Sequence, residues 1–255
     1  MLKNILKHFN TLDLQQIEAV KLLDRVETKV VFPRSKLLSV LNQMESSYDM
    51  LCIDGLSEFE YESQYFDTPE FRMYLNHQNQ RSERYKVRRR KYVDSGIEFF
   101  EVKKKTNKRT IKNRILNRST QCSINPIEND FLQKHSPYSS KMLIPQLKSK
   151  FKRITFVDKL KNERLTIDFD LAFMQNGITI TIPWMVIAEI KQDLFTIRSP
   201  FLTTIKSMGY HPVSISKYCL GTSLLNSNLK SNGIKEKIHL VQKNCEVTMI
   251  DVAAV

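Results

Sequence analysis

Glycine is scarce in this chain, six in 255 residues, and none stands in a G-x-x-x-x-G-K or G-x-G-x-x-G arrangement. Without such loops the backbone has no cradle for phosphate at a helix start. Any phosphate this chain binds must be met by side-chain cations. Histidine (five) and cysteine (four) are equally thin. Cys52, Cys122, Cys219 and Cys245 lie far apart with no C-x-x-C pair, and the histidines lack metal-ligand spacing. A Cys/His metal site is excluded on that pattern, and the thiols fit a reduced, cytoplasmic setting. No run of about 18 apolar residues exists to span a bilayer. Residues 1–20 carry charge throughout and no signal-peptide apolar stretch, so a cytoplasmic chain without a membrane span is expected. Negative charge is also short: 27 Asp and Glu stand against 40 Lys and Arg, a net +13 with a pI near 9.5. That balance attracts nucleic acid, phosphates or an anionic surface.

What is present is a core-forming chain, 41% apolar. Its length suits one large domain with additions. The expected layout is an N-terminal helix over 1–22, a main domain over 23–228 and a polar, weakly ordered tail over 229–255. Strand signals recur along the main domain. RYKVRRRKY (Arg84 to Tyr92) puts Arg84, Lys86, Arg88 and Arg90 on one face of a strand, because side chains alternate. Asp94-Ser95-Gly96 reads as a hairpin turn into a strand with Phe99, Glu101, Lys103 and Lys105 on one face. Lys112 and Arg114 share a face of the next strand. Arg25, Glu27 and Lys29 share one near the N-terminus, and Arg153 stands in the strand KFKRITFVD. Arg164, Thr166, Asp168 and Asp170 share a face, as do Glu189 and Lys191. Lys104, Lys108 and Arg109 read as rim charges, and Tyr65, Phe66 and Asp67 as a structural corner.

Exposed strands kept soluble by charge should mix Glu with Lys. Here cations dominate, with carboxylates at isolated positions: Glu27, Glu101, Asp168, Asp170 and Glu189. Antiparallel strands with one apolar and one polar face can close into a barrel. The expected fold is therefore α+β: an antiparallel β-barrel forming a charged tunnel, flanked by helices. A tunnel crowded with Arg and Lys needs anions to fill it. With a polyphosphate present, the carboxylates can also hold a divalent cation. Against a nucleic-acid binder, stacking aromatics are not evident between the cations. SISKY reads as a helix start with Ser214 or Ser216 as cap and Lys217 in the first turn. A lysine there opposes the helix dipole, a conflict that a bound anion would relieve.

The motifs R-x-E-x-K, YFDT, R-x-K-x-R-x-R-x-Y, F-x-E-x-K, K-x-R, KRITF, R-x-x-x-D-x-D, AEIK and SKY follow in this order between Asp24 and Asn228. Together they resemble the VTC domain, the polyphosphate-polymerase domain of the triphosphate tunnel metalloenzyme (CYTH-like) superfamily. The resemblance implies transfer of the γ-phosphate of ATP onto inorganic polyphosphate or pyrophosphate, with Mn²⁺ or Mg²⁺. It implies catalytic roles for Lys29, Arg88, Arg90, Lys103, Arg153 and Lys217. Substrate contacts would fall to Arg84, Lys86, Lys112, Arg114, Arg164 and Lys191. Metal would be held by Glu189, with Glu27, Glu101 and Asp168 either joining it or orienting the lysines. Hydrolytic members usually show E-x-E-x-K, whereas Arg25 stands at the first Glu position here, which favours the polymerase branch. The alternatives are a metal-dependent triphosphatase, acting on tripolyphosphate or an RNA 5′ end, and a non-catalytic polyanion-binding module. No specific nucleic-acid partner is implied, and any coupling to a membrane would fall to a partner.

Overall fold

The alternating segments are strands. The computed structural model describes residues 1–19, 25–107, 109–117, 121–160, 163–193, 199–245 and 252–254. In chain order these form α1 (Leu2–Leu6), β1 (Thr11–Leu12), α2 (Leu14–Ala19), β2 (Arg25–Pro33), α3 (Leu37–Met44), β3 (Tyr48–Leu51), β4 (Phe59–Asp67) and α4 (Arg72–Gln78). Then come β5 (Arg84–Tyr92), β6 (Glu98–Lys105), β7 (Thr110–Asn117), α5 (Pro126–His135), β8 (Ile144–Asp158), β9 (Glu163–Gln175), β10 (Ile178–Ile182) and β11 (Met185–Asp193). The last elements are α6 (Pro200–Ser207), α7 (Lys217–Leu225), α8 (Asn232–Cys245) and β12 (Val252–Ala254). The helix expected over 1–22 is broken by β1, and residues 20–24 lie outside the described ones. Where a weakly ordered tail was expected, α8 forms.

One run of strands organises the molecule: β7–β6–β5–β4–β8–β9–β11–β2, each neighbour antiparallel to the next. β1 pairs with β3 in parallel, and β3 borders the far end of β8. The closed barrel expected from the sequence does not form. Among the described strands, β7 and β2 share no backbone ladder. The reason is visible at β2, whose free edge is taken by another segment: Val213 N–H donates to the Lys29 carbonyl at 2.8 Å, beside a bridge between Val30 and Pro212. The sheet still curls, because Lys103 Nζ on β6 lies 3.4 Å from the Glu27 carboxylate on β2. This contact links β2 to β6, one strand in from the edge strand β7, where a ladder would have to run to close a barrel.

Helices cover both faces. On the outside, α3 buries Leu37, Val40, Leu41 and Met44, one helical stripe, against Val30, Phe32, Ile154, Phe156, Ile167 and Ala188. α1 and α6 join this layer through Ile5, Leu6, Phe201 and Ile205. Farther along, α5 covers Val87, Phe100 and Val102, with Leu132 inward. α5 starts on a capping box, Asn125 with Glu128, and Pro126 in its first turn. On the inner face α7 packs so closely that a Cβ on Gly221 would stand 2.4 Å from the Phe173 ring. That leaves one part of the inner face apolar and roofed, and the rest charged.

A bulge decides which residues share the inner face. The β8–β9 register slips between Lys150 and Lys152, and Asp170 takes φ 52°. Before it, Thr166 and Asp168 face inward, while Ile167 and Phe169 join the outer core. After it, Leu171 and Phe173 face inward instead. Asp170 therefore leaves the row that simple alternation assigns it. It lies 3.9 Å from Arg34 and 3.6 Å from Lys152.

Candidate phosphate-binding site

Adjacent antiparallel strands place residues side by side, so the cationic rows meet. Register sets Arg88 opposite Glu101, Lys86 opposite Lys103, Lys103 opposite Lys112, Lys29 opposite Glu189 and Arg153 opposite Asp168. Three charge clusters result. In the first, Glu101, 1% exposed, accepts from Arg88 Nε at 2.7 Å and Nη2 at 2.6 Å, and pairs with Lys112. Burial opposes ionisation of Glu101, but Arg88, Arg90 and Lys112 outweigh it and hold the carboxyl well below its ordinary range. Burial brings Lys112 down to about 7, although Glu101 pulls it upward.

In the second cluster Asp168, also 1% exposed, takes a fork from Arg153 (2.5 and 2.7 Å) and a bond from Lys217. Lys217 opens α7 behind its N-cap Ser216, whose Oγ accepts from Cys219 N–H. The dipole conflict foreseen for Lys217 is met by Asp168. Burial lowers the Lys217 pKa despite that partner. In the third cluster Lys29 sits between Glu27 and Glu189, 3.3 Å from the latter, and Glu189 pairs with Lys191 at 2.9 Å. Burial, only partly offset by Glu189, lowers Lys29 to about 8. Glu189 is held well below its usual range, because Lys191, Lys29 and Arg153 overcome its burial.

Beneath the cations lies an aromatic floor, which the sequence reading did not separate from ordinary core. Tyr61 and Phe151 stack at 5.4 Å, with Arg153 over both rings at 5.1 and 5.4 Å. Arg90 lies 5.8 Å from each of the same rings, and Lys217 lies 4.3 Å from Phe151. Arg88 stands over Tyr65 at 6.0 Å. These rings are buried under guanidinium groups and offer no open platform for a nucleobase.

Four carboxylates on this face thus serve cations, yet three β5 cations have none. Among the described residues, no carboxylate lies within ion-pair distance of Arg84, Lys86 or Arg90. Arg90, 8% exposed, donates Nε to Ser63 Oγ at 3.2 Å. Lys86 Nζ meets Ser216 Oγ at 2.9 Å and His77 Nε2 at 3.2 Å. Arg84 Nε is buried without a hydrogen-bond partner. Burial lowers the pKa of Lys86 and of Arg90. Beside them opens a cavity of about 430 Å³, lined by Glu27, Lys29, Arg84, Lys86, Lys103, Lys105 and the segment 212–216. An anion would supply the missing charge.

Two expected substrate-binding residues neighbour these clusters in register, Arg114 opposite Glu101 and Arg164 opposite Lys191, but are also held by other groups. Arg114 lies over the Phe99 ring at 4.5 Å, and Arg164 donates to the Ile17 carbonyl of α2. At the rim Lys104 pairs with Glu83 at 2.5 Å, while Lys108 and the Arg25 side chain lie outside the described residues. As to metal, no group of three His, Cys, Asp or Glu side chains converges among the described residues. Glu27 and Glu189, both on Lys29, give a two-carboxylate set, which suits an ion that arrives with phosphate oxygens of its own. Glu101 and Asp168 are each taken up by two cations and fit an orienting role.

Sequence reasoning missed Arg89. It faces outward, forks to Glu128 at 2.8 and 2.5 Å, and donates to the carbonyls of Gln121, Cys122 and Ser123. The signal that finds it is the Asn125–Glu128 capping box, whose buried Glu needs a cation. The corner role of Asp67 is specific. It accepts from the N–H groups of Thr68, Met73 and Tyr74 and from Tyr218 Oη, tying α4 to α7.

A family model described as the VTC domain matches residues 24–226. No curated protein matches. Among solved structures, a putative adenylate cyclase from Vibrio parahaemolyticus aligns with TM-score 0.46 and 13% identity, over 76% of this chain and 95% of that one. A putative adenylyl cyclase from Hippeastrum, described as having a dominant triphosphatase activity, gives 0.44 and 10%, over 78% and 95%. A conserved hypothetical protein from Pyrococcus furiosus gives 0.37 and 15%, over 90% and 96%. At these scores the family match alone carries weight.

Proposed function

The chain belongs to the VTC domain family, and from that premise we propose that it is a polyphosphate polymerase, moving the γ-phosphate of ATP onto a phosphate chain. The observation that carries this reading is the uneven neutralisation of the inner face. Arg84, Lys86 and Arg90 have no carboxylate partner among the described residues, while Glu27, Glu101, Asp168 and Glu189 are each engaged by cations. The first fact asks for an extended polyanion, since the side chains of Arg84 through Arg90 follow one strand for seven residues. The second takes up Glu101 and Asp168 with two cations each, so neither is left to orient a water. A hydrolase needs such a group, whereas a phosphate acceptor arrives already ionised and needs no general base.

Phosphoryl transfer demands alignment and fixed positive charge. Arg88 and Arg153, locked by Glu101 and Asp168, would grip phosphate oxygens with planar forks whose orientation is set before substrate arrives. Arg90, braced by Ser63 and two rings, would take a third set of oxygens. Lys217, Lys29 and Lys103 would act as point charges around the transferred group, with Lys112, Arg84, Lys86 and Lys191 extending the track. Glu189 and Glu27 would hold a divalent ion, Mn²⁺ or Mg²⁺, which would supply charge neutralisation to the phosphate oxygens. Arg114 and Arg164 are assigned to the margin, for collecting and framing substrate. Reaction would take place in a cytoplasmic setting.

The test is a product assay with γ-labelled ATP and Mn²⁺, resolved by size beside Lys103→Ala. A ladder of long acid-labile chains, absent from the variant, is expected. Orthophosphate as the sole product would replace the polymerase with a triphosphatase.

A further inference from the structure

A second cavity, of about 320 Å³, adjoins the cationic one, and the two share His77, Arg84 and the segment 214–216 in their walls. Their linings differ in chemistry. The first is walled by Lys29, Lys86, Lys103 and Lys105. Among the described residues the second has no lysine in its wall: Ile215, Ile234 and Ile238 supply apolar surface, and Gln78 and Gln80 supply amides that both donate and accept. Ile234 is buried and Ile238 half-buried, both on α8. At the junction Arg84 reaches both chambers, with its Nε buried and lacking a hydrogen-bond partner.

A cation-lined chamber joined through an unsatisfied guanidinium to an apolar chamber edged with amides matches a molecule with two unlike ends. One end is a phosphate chain. The other is an uncharged, flat, hydrogen-bonding heterocycle on a sugar. We propose that the second cavity seats the nucleoside of a nucleoside triphosphate, with Arg84 on the phosphate next to the sugar. This rests on the functional reading above and adds to it where the donor is recognised. It also gives α8 a task. That helix begins at Asn232, beyond residue 226 where the family match ends, so the chamber wall is a feature of this chain outside the matched stretch. Ionic attraction alone would not distinguish ATP from bare tripolyphosphate; burial of a heterocycle against isoleucines and pairing with amides would.

Binding of ATP and of tripolyphosphate would be measured by calorimetry without divalent metal, on the full chain and on Ile238→Trp, which fills the chamber from a half-buried position. ATP is expected to bind the unaltered protein at least tenfold tighter than tripolyphosphate. Ile238→Trp should remove that advantage and leave tripolyphosphate within twofold. Gln78→Ala, a smaller change, should cost ATP several-fold and tripolyphosphate nothing, which keeps the test valid if the tryptophan variant melts early. Equal, tight binding of both ligands to the unaltered protein would overturn the nucleoside site while leaving the phosphate track standing. Equal losses of both ligands in a variant that keeps its melting temperature would overturn it too. Failure of both ligands to bind the unaltered protein would instead remove the functional reading and this inference with it.

Discussion

At the scale of single residues, what matters on β5 is which side of the strand an arginine faces. Arg88, Arg89 and Arg90 are consecutive, yet Arg88 and Arg90 point to the charged inner face and Arg89 points under α5. Arg90→Ala should abolish tripolyphosphate binding with a small effect on unfolding; Arg88→Ala should abolish it as well, with a clear loss of stability because buried Glu101 is left with Lys112. Arg89→Ala should do the reverse of Arg90→Ala. It strands buried Glu128 and three carbonyls, so a loss of about 3–5 kcal/mol is expected in urea titrations. Equal effects from all three would refute the assignment of faces. Alternation made the inner row legible in the sequence, but not the worth of Arg89, because its partner lies 39 positions away.

Two lysines give the site a pH signature. Lys112 titrates near 7 and Lys29 near 8, both below the unfolded value near 10.5. The unfolded chain therefore holds more protons between those values, so these groups make the empty protein more stable as pH rises from about 7 toward 10.5. A bound phosphate favours the charged amines and reverses the shift. At pH 8, tripolyphosphate binding should take up protons, read as a dependence of calorimetric heat on buffer ionisation enthalpy. Lys112→Gln should reduce the uptake.

Among the elements, α7 and the bulged strand β9 set the geometry. α7 carries Lys217 to Asp168 and sits against Leu147 and Phe173, where Gly221 permits close contact. Gly221→Ala should cost about 1–3 kcal/mol through overpacking, visible in thermal melts. It should also weaken phosphate binding through displacement of Lys217. The strands themselves were legible in the sequence: the segments beginning at Arg25, Arg84, Glu163 and Met185 all showed the alternation that the sheet uses. Asp170 was not legible. Its place depends on a left-handed backbone at a non-glycine residue, which the two-residue period cannot signal. The buried aromatic floor was missed for a related reason. Tyr61, Tyr65 and Phe151 read as ordinary strand aromatics, and only the β4–β8 pairing puts them under the arginines of β5 and β8.

For the whole molecule the net charge of +13 attracts anions in general, and Arg84, Lys86 and Arg90, without carboxylate partners among the described residues, add a local demand on the inner face. Binding of tripolyphosphate should stabilise the fold by about 2.7 kcal/mol at a hundredfold excess over Kd. That gain should shrink steeply with salt, since most of it is electrostatic. Longer chains should bind more tightly until the β5 track is filled, and then level off. Absence of any length dependence between three phosphates and a long chain would confine the ligand to a single short site.

The seam between β2 and β7 has a mechanical meaning of its own. A ring closed by backbone ladders would force a polymer to enter by one end and be drawn through its full length. Here Glu27 on β2 is linked across to Lys103 on β6, one strand in from the edge strand β7, through two side chains that turn about single bonds. The phosphate chain proposed as ligand would then be laid in sideways and lifted out again, as a rope is seated in a cleat, so that grip would not come at the cost of release.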